Sequence, residues 1–404
     1  MQGFQKYLIE DKNTHLEHLE DEIINNGTQG AKTSIEFLKS IKKMLQGGKG
    51  GSNVSVKWDG APAVFAGTNP ENGRFFVGTK SIFNATPKIN YTVSDISRNH
   101  GGAWADKLAV ALKYLPSLGI KGVLQGDLLF TDDKKNAVVG NEKSIVFTPN
   151  TITYAVPATS VDMYNRIRAA KIGIIFHTSY SGKTMRGLKA SFGASVGGLR
   201  QNRNVFFDDA RYKQAQDPGF SKGEEKRFDA IIRMAEGSAY KAGAFIDKIK
   251  KDSGPLSLGV QLKTFFNTYI RSGTKIGNAK VLANNFEVFF RDRLKKEIDG
   301  KKQEKTKEKY KEILEAGMKI LRPNRQGLYF AIATYITLQT AKSLLLSKLN
   351  QIQSIGSFMR TSTGYKATNP EGYVAINKGN AVKLVDRLVF SQANFNVAKD
   401  WVRG

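Results

Sequence analysis

Lys57, Asp59 and Gly60 have the types and spacing that a lysine nucleophile attacking a nucleotide requires. They lie in NVSVKWDGAPA, residues 53–63, where apolar and polar positions alternate. In a strand, residues two apart share a face. Val54, Val56 and Trp58 are therefore expected to face a core, with Lys57 and Asp59 together on the opposite side. Gly60 has no Cβ, so the backbone can turn closely around a ligand. An amine attacks phosphorus only when uncharged, and an ordinary lysine titrates near about 10.4. Neighbouring cations, desolvation or a metal must lower that value.

A K-x-D-G string alone is weak, but other chemistry-bearing residues follow it in order. Thr79-Lys80-Ser81 closes a second strand pattern, RFFVGTK. Gly126-Asp127 sits inside GVLQGDLLF, an acid with apolar residues on both sides, which predicts a buried and paired carboxylate. IGIIFHTSY carries Phe176, and TITYAVP carries Tyr154. Near the C-terminus come Glu371-Gly372 in EGYVAI, then Lys378, and Lys383 in NAVKLVDR.

The elements that must position these residues are legible from the apolar period. Residues 1–46 read as two helices, the first capped by Thr14 and carrying Leu16, Leu19, Ile23 and Ile24. Gly47-Gly48-Lys49-Gly50-Gly51 reads as a linker, because it precedes a strand and lacks the phosphate-loop order. Residues 47–207 read as strand-rich, with a helix over Ala103 to Leu115 and another over VDMYNRIRAAK. Residues 208–356 return to a helical period with an excess of Lys and Arg, and residues 357–404 revert to strands. The most apolar window, Gly327 to Leu346, is broken by Thr, Gln and Lys residues and reads as a buried helix, not a membrane span.

The chain has 404 residues and a formal net charge of +26. That charge implies a polyanionic partner, with nucleic acid ahead of an anionic membrane surface. There are no cysteines, which excludes disulfides, thiolate nucleophiles and Cys-based metal sites. Of the four histidines, His15 and His18 stand three apart and resemble a metal pair. No third ligand completes a set, and their surroundings read as a solvated helix face. The start MQGFQKYLIEDK has no signal-peptide pattern, so an intracellular protein is expected.

As an ordered set, these motifs resemble the covalent nucleotidyltransferase superfamily of DNA ligases, RNA ligases and capping enzymes. The resemblance covers residues about 50–200 and 365–390. It implies an α+β fold, an ATP-grasp-like ligase adenylation domain of antiparallel-rich mixed sheets, with 208–356 as an inserted all-α domain. It implies that Lys57 is the nucleophile that takes AMP from ATP. Asp59, Gly60, Lys80, Asp127, Phe176, Glu371, Lys378 and Lys383 would bind the nucleotide. Asp127 and Glu371 would hold Mg²⁺, and Phe176, with Tyr154 as competitor, would stack on the purine. The sequence departs from the family at Ala61, at Asp127 where a longer acid is usual, and at Ile376 where a Lys is usual.

The resemblance also implies a partner and a setting. Little chain follows Lys383, so the oligonucleotide-binding barrel of larger ligases is not expected, and the absence of Cys disfavours the NAD-dependent ligases. The expectation is a compact, phage-type, ATP-dependent polynucleotide ligase, monomeric and cytoplasmic in an infected bacterium. It would join 5′-phosphate and 3′-hydroxyl ends in nicked or hybrid duplexes, DNA ahead of RNA, without a membrane partner. A basic nucleic-acid-binding protein with a dead nucleotidyltransferase fold is the rival.

Overall fold

The structure is a computed structural model that describes residues 17–46, 53–139, 141–150, 152–210, 219–250, 254–350, 356–361, 364–367, 372–377 and 380–388. The fold is α+β, with mixed sheets and a long helical segment between strands. Helix α1 (Glu22–Leu45) precedes β1 (Asn53–Lys57), β2 (Ala63–Thr68) and β3 (Phe75–Gly78). Helices α2 (Val93–Asn99) and α3 (Gly102–Tyr114) follow, then β4 (Val123–Phe130), β5 (Lys135–Val139), β6 (Glu142–Phe147) and β7 (Ile152–Pro157). Next come α4 (Val161–Ala169), β8 (Ile172–Ser181), β9 (Lys189–Phe192) and β10 (Val205–Asp209). The helical segment comprises α5 (Lys222–Lys250), α6 (Leu258–Arg271), α7 (Ala279–Asp299), α8 (Glu304–Leu321) and α9 (Arg325–Asn350). The chain then returns to strands in β11 (Gly356–Thr361), β12 (Gly364–Ala367), β13 (Gly372–Asn377) and β14 (Asn380–Val385).

The strands form three sheets. The first has order β1-β13-β14 and is antiparallel throughout. The second has order β10-β8-β4-β2-β3, with β9 also on β8 and β10 parallel to β8. The third has order β12-β11-β7-β6-β5. One face of the first sheet packs on the helices, where Phe37, Phe228, Leu345, Tyr373 and Leu384 are buried together. One face of the second sheet is covered by α3, with Leu108, Ala111, Leu128, Phe176 and Phe207 in one cluster. The sheets meet at a third cluster that includes Leu129, Tyr154, Ile175 and Val385. The run Ile172 to Phe176 is buried on both faces, which is why it lacks polar alternation.

Local signals account for several element ends. Thr92 and Asp95 form a capping box at α2. Asn278 accepts from the backbone of Lys280 and Val281 at the start of α7. The apolar window of α9 is buried as expected, with Ile332, Tyr335, Leu338 and Leu345 on its inner face. Among the described residues, no helix is long and apolar enough to cross a membrane. The N-terminal region holds two helical pieces, as the apolar period implies: α1 is broken at Gly27, whose φ of 60° is not helical, with Ile23 and Ile24 before the break and Ile35, Phe37, Leu38, Ile41 and Leu45 after it. Leu19 lies in a 3₁₀ turn before the first piece. Thr14 and Leu16 lie outside the described residues.

Three consecutive acids, Glu20, Asp21 and Glu22, are buried against the helical segment. Lys342 of α9 reaches both Glu20 oxygens at 2.7 Å. Arg387 donates to Asp21 at 3.0 Å and to the Tyr335 hydroxyl at 2.7 Å, and Tyr335 donates to Asp21 at 3.2 Å. Burial works to raise the Glu20 carboxyl, but Lys342 and Arg387 hold it below its usual value. At Asp21 burial wins over Arg387 and the carboxyl is pushed up. Burial lifts Glu22 to about 7, although Asn26 donates to it.

Two outcomes follow from this buried charge. Lys342→Met strands a buried carboxylate and is expected to lower unfolding free energy by about 3–5 kcal/mol in urea titrations. Glu20→Met with Lys342→Met should recover most of that loss, and a double variant no better than the single refutes the pairing. Glu22 gives a pH signature. Below its ordinary value of 4.5 both folded and unfolded chains hold the proton, and nothing is lost. As pH rises from 4.5 to about 7, only the unfolded chain releases it, so stability falls across that window. Glu22→Gln should therefore stabilise the protein by up to about 3 kcal/mol near pH 8 and not at all near pH 4, as read by unfolding at each pH.

Candidate active site

The first sheet sorts its side chains by register. Lys57 opposes Gly372, Gly372 opposes Val385, and Val374 opposes Lys383. Directly opposed residues project to the same side. Val54, Tyr373, Ala375, Val382 and Leu384 enter the helical core. Ser55, Lys57, Val374, Lys383 and Val385 therefore share the other face. Lys57 and Lys383, far apart in sequence, stand on one surface with only β13 between their strands. Both are partly exposed.

After Lys57 the strand ends, and strict alternation ends with it. Trp58 does not join the core of Val54. It packs instead at the sheet junction, 4.9 Å from the Tyr154 ring. Asp59 does not project beside Lys57 either. Its carboxylate is buried and accepts from Asn150 Nδ2 and from the Ile152 backbone, each at 2.7 Å. Its own backbone N–H donates to the Tyr154 hydroxyl at 2.7 Å. Asp59 is thus the anchor that ties the end of β1 to β7. The expected role of Asp59 beside the nucleophile is replaced by that anchoring role.

Gly60 meets a different neighbour from the one expected. A Cβ placed there would lie 2.4 Å from the Asp127 Cβ, so the missing side chain admits Asp127. The end of β1 therefore sits directly against β4 at its one acidic position. Asp127 opposes Ala63 and Ile175; its side chain is 20% exposed, so it is half-buried where its apolar flanks predict a buried acid, and its partner is His177. Lys80 lies two residues past Gly78, which opposes Phe65, so it falls at the sheet end where β2 begins. It opens a 3₁₀ turn capped by Thr79 and is exposed.

Phe176 is not placed to stack on a base. Its ring is fully buried in the core under α3. Tyr154 is also buried and holds Asp59. The residue that reaches the Asp127 side is His177. Gln125 opposes Thr178 while Gly126 opposes Phe176, so His177 is the extra residue of a β-bulge. Bulges re-aim side chains. The His177 Nε2 lies 3.7 Å from Asp127 Oδ1, and Nδ1 lies 2.8 Å from Thr178 Oγ1. Glu371 and Lys378 lie outside the described residues.

His18 also departs from its reading as part of a solvated helix face. It forms a parallel bridge to Lys383, whose N–H donates to the Glu17 carbonyl at 3.0 Å. That bridge puts His18 on the face that carries Lys383, while Leu19, in the 3₁₀ turn that follows, enters the helical core. Its Nδ1 is sealed from solvent without a partner. Burial, followed by the charges of Arg387, Lys342, Lys383 and Lys57, holds its imidazole well below the usual value. His15 lies outside the described residues.

A model for a family described as being of unknown function, DUF6267, matches residues 13–399. The chain belongs to this family. No curated protein and no solved structure matches it. In this DUF6267 chain, the candidate site is therefore argued from its own residues. Two lysines on one sheet face suit a phosphate chain. Among the described residues, no group of three or more His, Asp or Glu could hold a metal ion by itself. Mg²⁺ commonly takes one or two carboxylates and completes its shell from substrate phosphates and water. Asp127, partly open beside Gly60, fits that lesser demand.

Asp59→Asn tests the anchor. Each Asp59 oxygen accepts from its own donor, so the amide puts an NH₂ against one of them, and is expected to cost about 1–3 kcal/mol, read as a lower thermal midpoint. An unchanged midpoint would remove Asp59 from the anchoring role.

Proposed function

We propose that this protein is an ATP-dependent polynucleotide ligase working through a covalent Lys57–AMP intermediate. The observation that carries the reading is the placement of Lys57 and Lys383 on one sheet face, with the Gly60 turn packed against Asp127. On this reading the amine of Lys57, the cation of Lys383 and the acid of Asp127 would serve one nucleotide.

The Lys57 amine enters the reaction uncharged, its proton having passed to solvent. The Lys57 nitrogen then attacks the α-phosphorus of ATP. The N–P bond forms as the P–O bond to pyrophosphate breaks. Lys383, on the same face, opposes the charge gathering on the phosphate oxygens. Asp127 would hold Mg²⁺, which when bound neutralises phosphate charge. Asp59 keeps Lys57 in register by fixing the turn that follows it. In the second step a 5′-phosphate oxygen attacks the same phosphorus, and the N–P bond breaks. In the third, a 3′-hydroxyl attacks the activated 5′-phosphate, loses its proton and displaces AMP.

The net charge of +26 supports a polyanionic second substrate. The helical segment and the end of β14 border a cavity of about 690 Å³ whose lining includes Arg227 and Lys275. Contacts of this kind read the backbone and not the sequence, which suits end joining. Nicked DNA or a mixed DNA/RNA duplex is the favoured substrate.

Incubation with Mg²⁺ and ATP radiolabelled at its α-phosphate, without nucleic acid, is the direct test. The wild type is expected to carry covalent label that survives denaturing electrophoresis and alkali but is released by acid, as an N–P bond requires, and Lys57→Ala none. Lys383→Ala should lower the labelling rate on the order of 100-fold. An unlabelled wild type, or equal label on Lys57→Ala, withdraws the enzyme reading and leaves a basic nucleic-acid-binding protein. Sealing of nicked DNA, hybrid and RNA substrates then ranks the polynucleotides.

A further inference from the structure

Glu17 and His18 add a short fourth edge to the first sheet, beyond β14. The bridge to Lys383 puts His18 on the face that carries Lys383, while Leu19, in the 3₁₀ turn that follows, enters the helical core. Nothing in the expected chemistry uses this imidazole. It is nonetheless set among cations. Lys57 comes from β1, Lys383 from β14, Lys342 from α9, and Arg387 from just past β14. Lys342 is committed to Glu20 and Arg387 to Asp21.

We propose that His18 is a phosphate-binding side chain of the Lys57–Lys383 face, donating from Nε2 to an oxygen of a nucleotide's phosphate chain. The proposal rests on the reading of Lys57 as a nucleotide-binding lysine. The ring's own geometry assigns the donor. Nδ1 is sealed from solvent and has no partner. A sealed N–H without an acceptor is costlier and rarer than an under-used acceptor, so the proton belongs on Nε2. Nδ1 is the ring nitrogen sealed without a partner among the described residues, so Nε2 is the one left to meet a ligand. Burial, with the nearby cations, holds the imidazole neutral, and a neutral donor adds a phosphate contact without adding charge to the face. An arriving polyanion reverses the local sign and strengthens that hydrogen bond.

Isosteric variants separate the two ring nitrogens. Glutamine can put its amide N–H where Nε2 lies, whereas asparagine reaches only the Nδ1 position. The measurement is the dissociation constant for inorganic tripolyphosphate and for ATP, by calorimetry on full-length protein, with circular dichroism confirming that each variant is folded. His18→Asn is expected to bind both probes about 10-fold or more weakly, and His18→Gln within about 3-fold of wild type. Asparagine binding as tightly as wild type overturns the proposal. So does an equal loss in both variants, which marks a packing role. If His18→Asn does not fold, wild-type protein decides the matter. Among only four histidines, the His18 ring ¹⁵N resonances must move on adding tripolyphosphate, and fixed resonances overturn the assignment. Covalent label on Lys57 with an unaffected His18→Asn sinks this inference alone. Tripolyphosphate binding that needs His18, without any label on Lys57, sinks the ligase reading alone. Wild type that binds neither probe sinks the phosphate site itself.

Discussion

The pairing of β1 with β13 is the constraint on which the candidate site depends. Ser55 and Val374 bond across it although 319 residues separate them in the chain. Closing so long a loop costs entropy, but that cost grows only logarithmically with length. A separately packed helical segment between the strands further reduces the freedom that must be lost. Its own core of aromatic and aliphatic residues, from Phe245 and Phe266 to Phe286 and Tyr335, holds α5 to α9 together. Tyr373 of β13 then donates to Asn350 at the end of α9, tying the last helix to the returning strand. Without this closure Lys57 would have no Lys383 across β13.

Register matters as much as pairing. A one-residue slip of β14 would turn Lys383 into the helical core and put Leu384 on the open face. The apolar cluster around Tyr373 and Leu384 resists that slip. The buried charges resist it more specifically. Arg387 follows β14 by two residues and must find Asp21, Tyr335 and Asn267 at once. Buried ion pairs contribute little to stability against apolar replacements, yet they penalise wrong geometry heavily. Here they join the segment that bears His18 to the segment that bears Lys383. The charge network therefore acts as a register lock for the lysine face.

Much of the fold was legible because its elements are periodic. The alternation of NVSVK marks β1, the unbroken apolar run marks β8 as central, and the long apolar window marks α9 as a buried helix. The site was legible only in part. Lys57 and Lys383 were found by motif, and the register supports grouping them. Trp58 and Asp59 were misplaced because alternation was extended past the last paired residue. Phe176 and its competitor Tyr154 are both core rings, and the residue that faces Asp127 is His177, through a bulge invisible in sequence. His18 was passed over because its partner, Lys383, lies at the other end of the chain and no local period reports such a bridge. Glu22 carries no sign in sequence of the burial that raises its carboxyl.

The electrostatics of the open face argue that it serves a ligand. Lys57 and Lys383 bring two cations to one sheet face. Sealing an imidazole nitrogen without a partner beside them adds a desolvation penalty. Neither feature supports the apolar core, which lies on the sheet's other side. Local rules broken at one place, and kept elsewhere in the same sheet, are what a functional surface requires. A polyanion is the ligand that would suit both features at once. It pairs with the two lysines, gives the histidine an acceptor, and leaves the buried network behind them unchanged.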